Sequence, residues 1–158
     1  MNWMKPYETC RLCPRACNVN RRTGQRGFCG ASAELQVGRA MLHAWEEPPI
    51  SGTRGSGTVF FSHCTLGCVF CQNHQISRRE SEGIAISPER LAEIFLELQE
   101  KGAHNINLVT AAHYAPHITR AIQAARAAGL YIPILLNSGG YESLDTLTML
   151  DGWIDIYL

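Results

Sequence analysis

From residue 58 onward, short unbroken apolar runs alternate with longer segments in which apolar residues recur every three or four positions. The runs TVFFS (58–62), INLVT (106–110), YIPILLN (131–137) and WIDIYL (153–158) read as strands. Their continuous apolar character predicts a sheet covered on both faces. Between them, SPERLAEIFLELQEKG puts Leu91, Ile94, Phe95 and Leu98 on one helical face. Ser87 is placed as its N-cap, Pro88 at its first position and Gly102 at its end. APHITRAIQAARAAG repeats the pattern with Ile118, Ala121, Ile122 and Ala125 and stops before Gly129, and SLDTLTML gives a short helix. Strands alternating with helices predict βαβ units and a parallel sheet. Pro133 lacks a ladder donor and is expected near the first residues of its strand.

Residues 1–57 show little regular periodicity. A hairpin is expected around LQVGRAMLHAW, followed by the Pro/Gly-rich connector EEPPISGTRGSG. The connector lacks the Gly-Lys-Ser/Thr ending of a phosphate-binding loop and reads as a turn feeding the first strand. Glu46 and Glu47 are adjacent, do not converge on one face, and read as solvated. The expected organisation is a Cys-rich region with its connector over 1–57, then an α/β unit with about four parallel strands over 58–158.

Fourteen basic and fourteen acidic residues leave no net charge, so nothing global favours nucleic acid or an anionic membrane. No apolar run approaches the roughly 20 residues of a membrane span. The start, MNWMKPYETC, has no apolar signal region, which predicts a cytoplasmic protein with reduced thiols. The lysines are Lys5 and Lys101, and Lys101 ends a helix, which disfavours Schiff-base chemistry.

Reduced, clustered cysteines point to metal or catalysis. There are seven, in two groups: Cys10, Cys13, Cys17 and Cys29, then Cys64, Cys68 and Cys71. The second group follows the first strand, at the carboxyl edge where α/β sheets bind ligands, in an unusually long connection. Three thiolates suit a 4Fe–4S cluster whose fourth iron stays open. Zinc closed by His63 or His74 is an alternative. So is a plain helical face of small apolar thiols, which Gly67 and the preceding strand disfavour. The first group, spaced x2, x3 and x11, suits a second metal site, zinc or an auxiliary iron–sulfur cluster, with unligated packed thiols as the alternative. Five arginines between Arg11 and Arg26 leave open a zinc-bound nucleic-acid or interaction module on an α/β scaffold, although nucleic acid is the less favoured partner.

Cys64-x3-Cys68-x2-Cys71, with Phe70 before the last cysteine, resembles the signature of radical S-adenosylmethionine (SAM) enzymes. EEPPISGTRGSGTVFF, CVFCQN, NINLVT with HYAP, NSGGYE, and the N-terminal CRLCPRACNVNR and GFCG are similar to pyruvate formate-lyase-activating-enzyme-like iron–sulfur proteins. The likeness covers essentially the whole chain. His63 and Gly67 depart from it, standing where a glycine and an arginine are expected, and TAAH (110–113) is a variant. The resemblance implies a partial (βα) radical SAM barrel and a 4Fe–4S cluster on Cys64, Cys68 and Cys71. SAM would chelate the open iron and be reduced to a 5′-deoxyadenosyl radical that abstracts hydrogen, as in glycyl-radical-enzyme activating enzymes. Phe70 and Gln72 would lie near the adenine, Thr110, Ala111 and Ala112 near the methionine moiety, and Asn137 and Ser138 over the ribose. Plain strand-end capping is the alternative for the last five. His113 faces this site, more as a surface or supporting residue than as a proton shuttle. An electron donor such as flavodoxin or ferredoxin is implied, with a protein substrate as one option. Four strands against the six units of relatives predict an incomplete catalyst: a fragment, a truncated reading frame or half of a split protein. In such a chain metal binding survives better than turnover, and a non-catalytic relative is a further reading.

Overall fold

A computed structural model describes residues 2–158. Six strands form one sheet: β1 (Gln36–His43), β2 (Ser56–Phe61), β3 (Ile84–Ala85), β4 (Ile106–Val109), β5 (Ile134–Asn137) and β6 (Ile156–Tyr157). Their order across the sheet is β3-β1-β2-β4-β5-β6. β2, β4, β5 and β6 are parallel neighbours, the four parallel strands the sequence predicts. β1 runs antiparallel to both β2 and β3. The helices are α1 (Pro48–Ser51), α2 (His74–Ser77), α3 (Pro88–Glu100), α4 (Ala115–Ala127) and α5 (Leu144–Leu150).

α3 starts as expected: the Ser87 hydroxyl accepts from the Arg90 amide, and Gly102 follows the helix at φ +88. Leu91, Phe95 and Leu98 are buried, whereas Ile94 is only partly covered. Ile118, Ala121, Ile122 and Ala125 of α4 are all fully buried. These faces meet one side of the sheet, made by Val59 and Phe61, Ile106 and Leu108, and Ile134 and Leu136. The side chains between them turn to the other, concave side. There Thr58, Asn107 and Leu135 are register partners in one layer, and Phe60, Val109 and Asn137 in the next.

Several boundaries differ from the pattern reading. The expected hairpin in LQVGRAMLHAW is a single eight-residue strand, β1, whose partner is β2. Only β2 reads as a strand of that pair in the sequence, and the Pro/Gly connector between them folds into α1 instead of a plain turn. The sheet therefore draws on residues both before and after residue 57. β5 begins at Ile134, because Pro133 offers only its carbonyl, which accepts from the Ile106 amide. β6 spans two residues of the expected six: Trp153 closes a turn onto Leu150, and Asp155 pairs with Ile134, before the ladder starts. β4 ends at Val109 because Thr110 has a left-handed backbone, φ +59.

Candidate metal and cofactor centre

The chain leaves β2 at the carboxyl edge and immediately turns through His63, at φ +69. A non-glycine residue rarely adopts this conformation. Glycine, the residue the resemblance leads one to expect there, would adopt it freely. The His63 amide donates to the Ile76 carbonyl at 2.8 Å, tying the start of the cysteine loop to its return. Ile76 in turn packs on Gly38, beside the irregularity in β1, where a Cβ would come within 2.9 Å of Ile76 Cγ2. Gly67, φ +69, turns the loop again between Cys64 and Cys68.

Cys64, Cys68 and Cys71 are half-buried and free of disulfides. The Leu66 amide donates to Cys64 Sγ at 3.4 Å, and Cys71 Sγ lies 3.3 Å from Ser77 Oγ. Among the described residues no three His, Cys, Asp or Glu side chains converge as a cage for a single ion. A four-iron cube, with one thiolate per iron, takes a wider spread than one zinc ion does. Neither His63, which is buried, nor His74, which is exposed, is gathered with the three cysteines to close a zinc site.

A cleft of about 180 Å³ brings Cys64 together with Thr110, Ala111, Ala112, Asn137 and Ser138. These are the ends of β2, β4 and β5. Next to it a groove of about 470 Å³ shares Asn73, Val109 and Asn137 and contains Gln72 and the exposed Trp45. Phe70 lines neither cavity: its side chain points outward and is 87% exposed. Glu46, which also lines the groove, is half-buried, while Glu47 is exposed. The pattern reading missed Glu142, whose side chain joins the cleft. It also missed the role of Gly139, where a Cβ would stand 2.3 Å from Leu66 Cδ1. The Gly-Gly pair in NSGGYE is the signal for that close approach.

His113 is buried, with Nε2 2.9 Å from the Ser62 carbonyl. Burial, and then the Arg21 guanidinium, push its pKa down to about 3. It is therefore neutral near pH 7, and its buried ring forms a wall of the cleft.

Cys10, Cys13, Cys17 and Cys29 line one small cavity of about 20 Å³ with Arg21, on the other side of Thr65 and His113. Burial pushes the Cys13 and Cys29 thiols up, so without a metal they stay protonated. Four of the five arginines here are engaged within the fold. Arg11 bonds to Asn18, Arg15 to the Thr65 carbonyl, Arg21 to the Ser32 and His113 carbonyls, and Arg22 to Glu8.

Residues 58–156 match the radical SAM superfamily. The chain is 30% identical over 158 residues to uncharacterized protein MJ0674 of Methanocaldococcus jannaschii, covering 96% of this chain and 45% of that protein. It thus spans less than half the length of that relative. No solved structure matches. Among the described residues no helix is long and apolar enough to cross a membrane. Proteins of the matched superfamily carry a 4Fe–4S cluster and SAM. Three free thiols on a loop at the sheet's carboxyl edge, one of them lining an open cleft, are a donor set that fits such a cluster, and this chain belongs to the radical SAM superfamily.

Proposed function

We propose that Cys64, Cys68 and Cys71 hold a 4Fe–4S cluster with one open iron, that SAM occupies the cleft beside Cys64, and that the protein cleaves SAM reductively. The observation that carries this reading is the single cleft in which a cluster thiol meets the ends of two further parallel strands, at Thr110–Ala112 and Asn137–Ser138. When bound, the reduced cluster supplies the electron that splits the sulfonium and yields a 5′-deoxyadenosyl radical.

The chain's own residues orient and enclose. Ala111 and Ala112 are small and leave room for a methionine moiety against the backbone. The turn at Thr110 ends the ladder there, so strand-end polar groups face the cleft. Asn137 and Ser138 offer an amide and a hydroxyl to ribose hydroxyls, and Glu142 offers a carboxylate to an ammonium or hydroxyl group. Gln72 lies in the adjoining groove, where it can bond an adenine edge or a substrate.

The sequence resemblance supports hydrogen abstraction from a protein glycine, as in glycyl-radical-enzyme activation. The open groove with Trp45 supports a polypeptide there. A flavodoxin- or ferredoxin-type donor would supply the electron, in a cytoplasmic setting. Anaerobic reconstitution with iron and sulfide, reduction, and assay of SAM cleavage test the reading. Iron, sulfide and a SAM-dependent change in the reduced cluster's EPR spectrum are expected, with 5′-deoxyadenosine as product. All should vanish when Cys64, Cys68 and Cys71 are changed to alanine. Retention of the EPR change in that variant would overturn the assignment.

A further inference from the structure

The N-terminal cysteines are brought together by backbone pairing. The Cys10 amide donates to the Val19 carbonyl and the Asn18 amide to the Cys10 carbonyl, both at 3.0 Å, which sets Cys10 beside Cys17. A turn from Cys13 to Ala16 and another from Gly27 to Gly30 then face each other. The Phe28 amide points at Cys17 Sγ from 3.5 Å, and a Cβ at Gly27 would stand only 2.9 Å from that sulfur. Ala16 and Asn18, on either side of Cys17, both have positive φ (+42 and +56). Such strain persists only where the surroundings fix it.

Arg21 is the second observation. It is 2% exposed, yet among the described residues no carboxylate pairs with it. Its guanidinium reaches the Ser32 carbonyl at 2.6 Å, the His113 carbonyl at 2.6 Å and Cys10 Sγ at 4.0 Å. A buried charge needs a counter-charge, and no carboxylate among the described residues supplies one. Four thiolates on one divalent ion carry a net charge of 2−, directly beside the guanidinium. The cavity of about 20 Å³ has room for one ion.

We propose that Cys10, Cys13, Cys17 and Cys29 bind one Zn²⁺ as a closed tetrathiolate site. Binding releases the four thiol protons to solvent and draws together thiols that line one cavity but are not yet gathered into a cage. The site does not depend on the 4Fe–4S cluster. Its wall of Thr65 and His113 is also a wall of the SAM cleft, so the ion braces the loop that carries Cys64.

The test uses the full chain purified in air, without iron reconstitution. About one zinc per chain is expected, retained when Cys64, Cys68 and Cys71 become alanine and lost when the four N-terminal cysteines become serine. Because the serine variant can fail to fold, differential alkylation of the unmutated chain provides the second measurement. Cys10, Cys13, Cys17 and Cys29 should be shielded until a chelator is added, while Cys64, Cys68 and Cys71 react. Cobalt substitution should give the strong visible absorption of a tetrahedral thiolate centre. Absence of stoichiometric zinc, iron with sulfide in its place, or shielding of Cys64, Cys68 and Cys71 instead would each overturn the proposal. None of these outcomes bears on whether the reconstituted protein cleaves SAM.

Discussion

Arg15 donates from Nε to the Thr65 carbonyl at 2.9 Å, reaching from the N-terminal segment to the residue after Cys64. The same guanidinium lies 3.4 Å from the ring centre of Phe28, so it is held flat and pre-aimed. Arg15→Ala should destabilise the apo-protein by about 1 kcal/mol, the net worth of a typical hydrogen bond, because Arg15 is exposed. It should also speed loss of iron to a chelator after reconstitution. Arg15→Lys should recover little, because an ammonium reproduces neither the stack nor the directed Nε donor. Iron retention equal to that of the parent would show that the contact does not restrain the loop.

Thr110 offers a backbone test. A β-branched residue at φ +59 carries roughly 1–3 kcal/mol of strain that glycine relieves. Glycine also adds freedom to the unfolded chain, which offsets part of the gain. Thr110→Gly should therefore leave the urea midpoint unchanged or raised, against the loss usual for glycine at a strand end. SAM binding should weaken at the same time, since the cleft loses a side chain. A drop in stability of more than about 1 kcal/mol would contradict the strain argument.

Three buried histidines, His63, His113 and His117, set an acid limit. Burial and then Arg21 lower the pKa of His113 to about 3 and that of His117 to about 4, from the ordinary 6.5. The unfolded chain binds these protons below about pH 6.5 while the folded chain refuses them. Their contribution is thus fully present above pH 6.5. It falls with pH until about 4 for His117 and about 3 for His113, at about 1.4 kcal/mol per pH unit for each. His113→Gln keeps a donor for the Ser62 carbonyl. Urea titrations between about pH 6 and 4.5 should show a shallower slope in this variant than in the parent. An unchanged slope would mean that His113 is not the proton sink.

Asn107 lies on the concave side with both amide atoms buried and, among the described residues, unpartnered. Its register neighbour Thr58 has an unpartnered hydroxyl. One layer below, the Ser56 hydroxyl and Asn105 satisfy each other at 2.5 Å. Asn107→Leu keeps the branched heavy-atom shape and removes the desolvated amide, and should stabilise the chain by about 1 kcal/mol where the bulkier methyls are accommodated. Destabilisation of similar size would reveal a bound water or ligand on that amide.

The α3 and α4 faces were legible because their apolar spacing, Ser87 and the two terminal glycines all point the same way. The cysteine loop was legible from three thiols at a strand end. What lies between distant segments was not. Nothing in the spacing of Arg21 distinguishes a buried guanidinium from its four solvated or half-solvated neighbours. Glu142 enters the cleft only because Gly139 lets its loop close on Leu66. The pairing of β1 with β2 depends on α1 reversing the chain within a stretch whose prolines and glycines read as a featureless turn.

That pairing has a consequence for anyone dissecting the protein. Ala31, Leu35 and Val37 pack in the same core as Phe61, Leu91 and Tyr114. β1 also covers the whole of β2's outer hydrogen-bonding edge. Excising residues 1–57 would not release a tidy catalytic half. It would strip the selvage from the fabric, leave β2 as a raw apolar margin, and turn a well-folded chain into a sticky one.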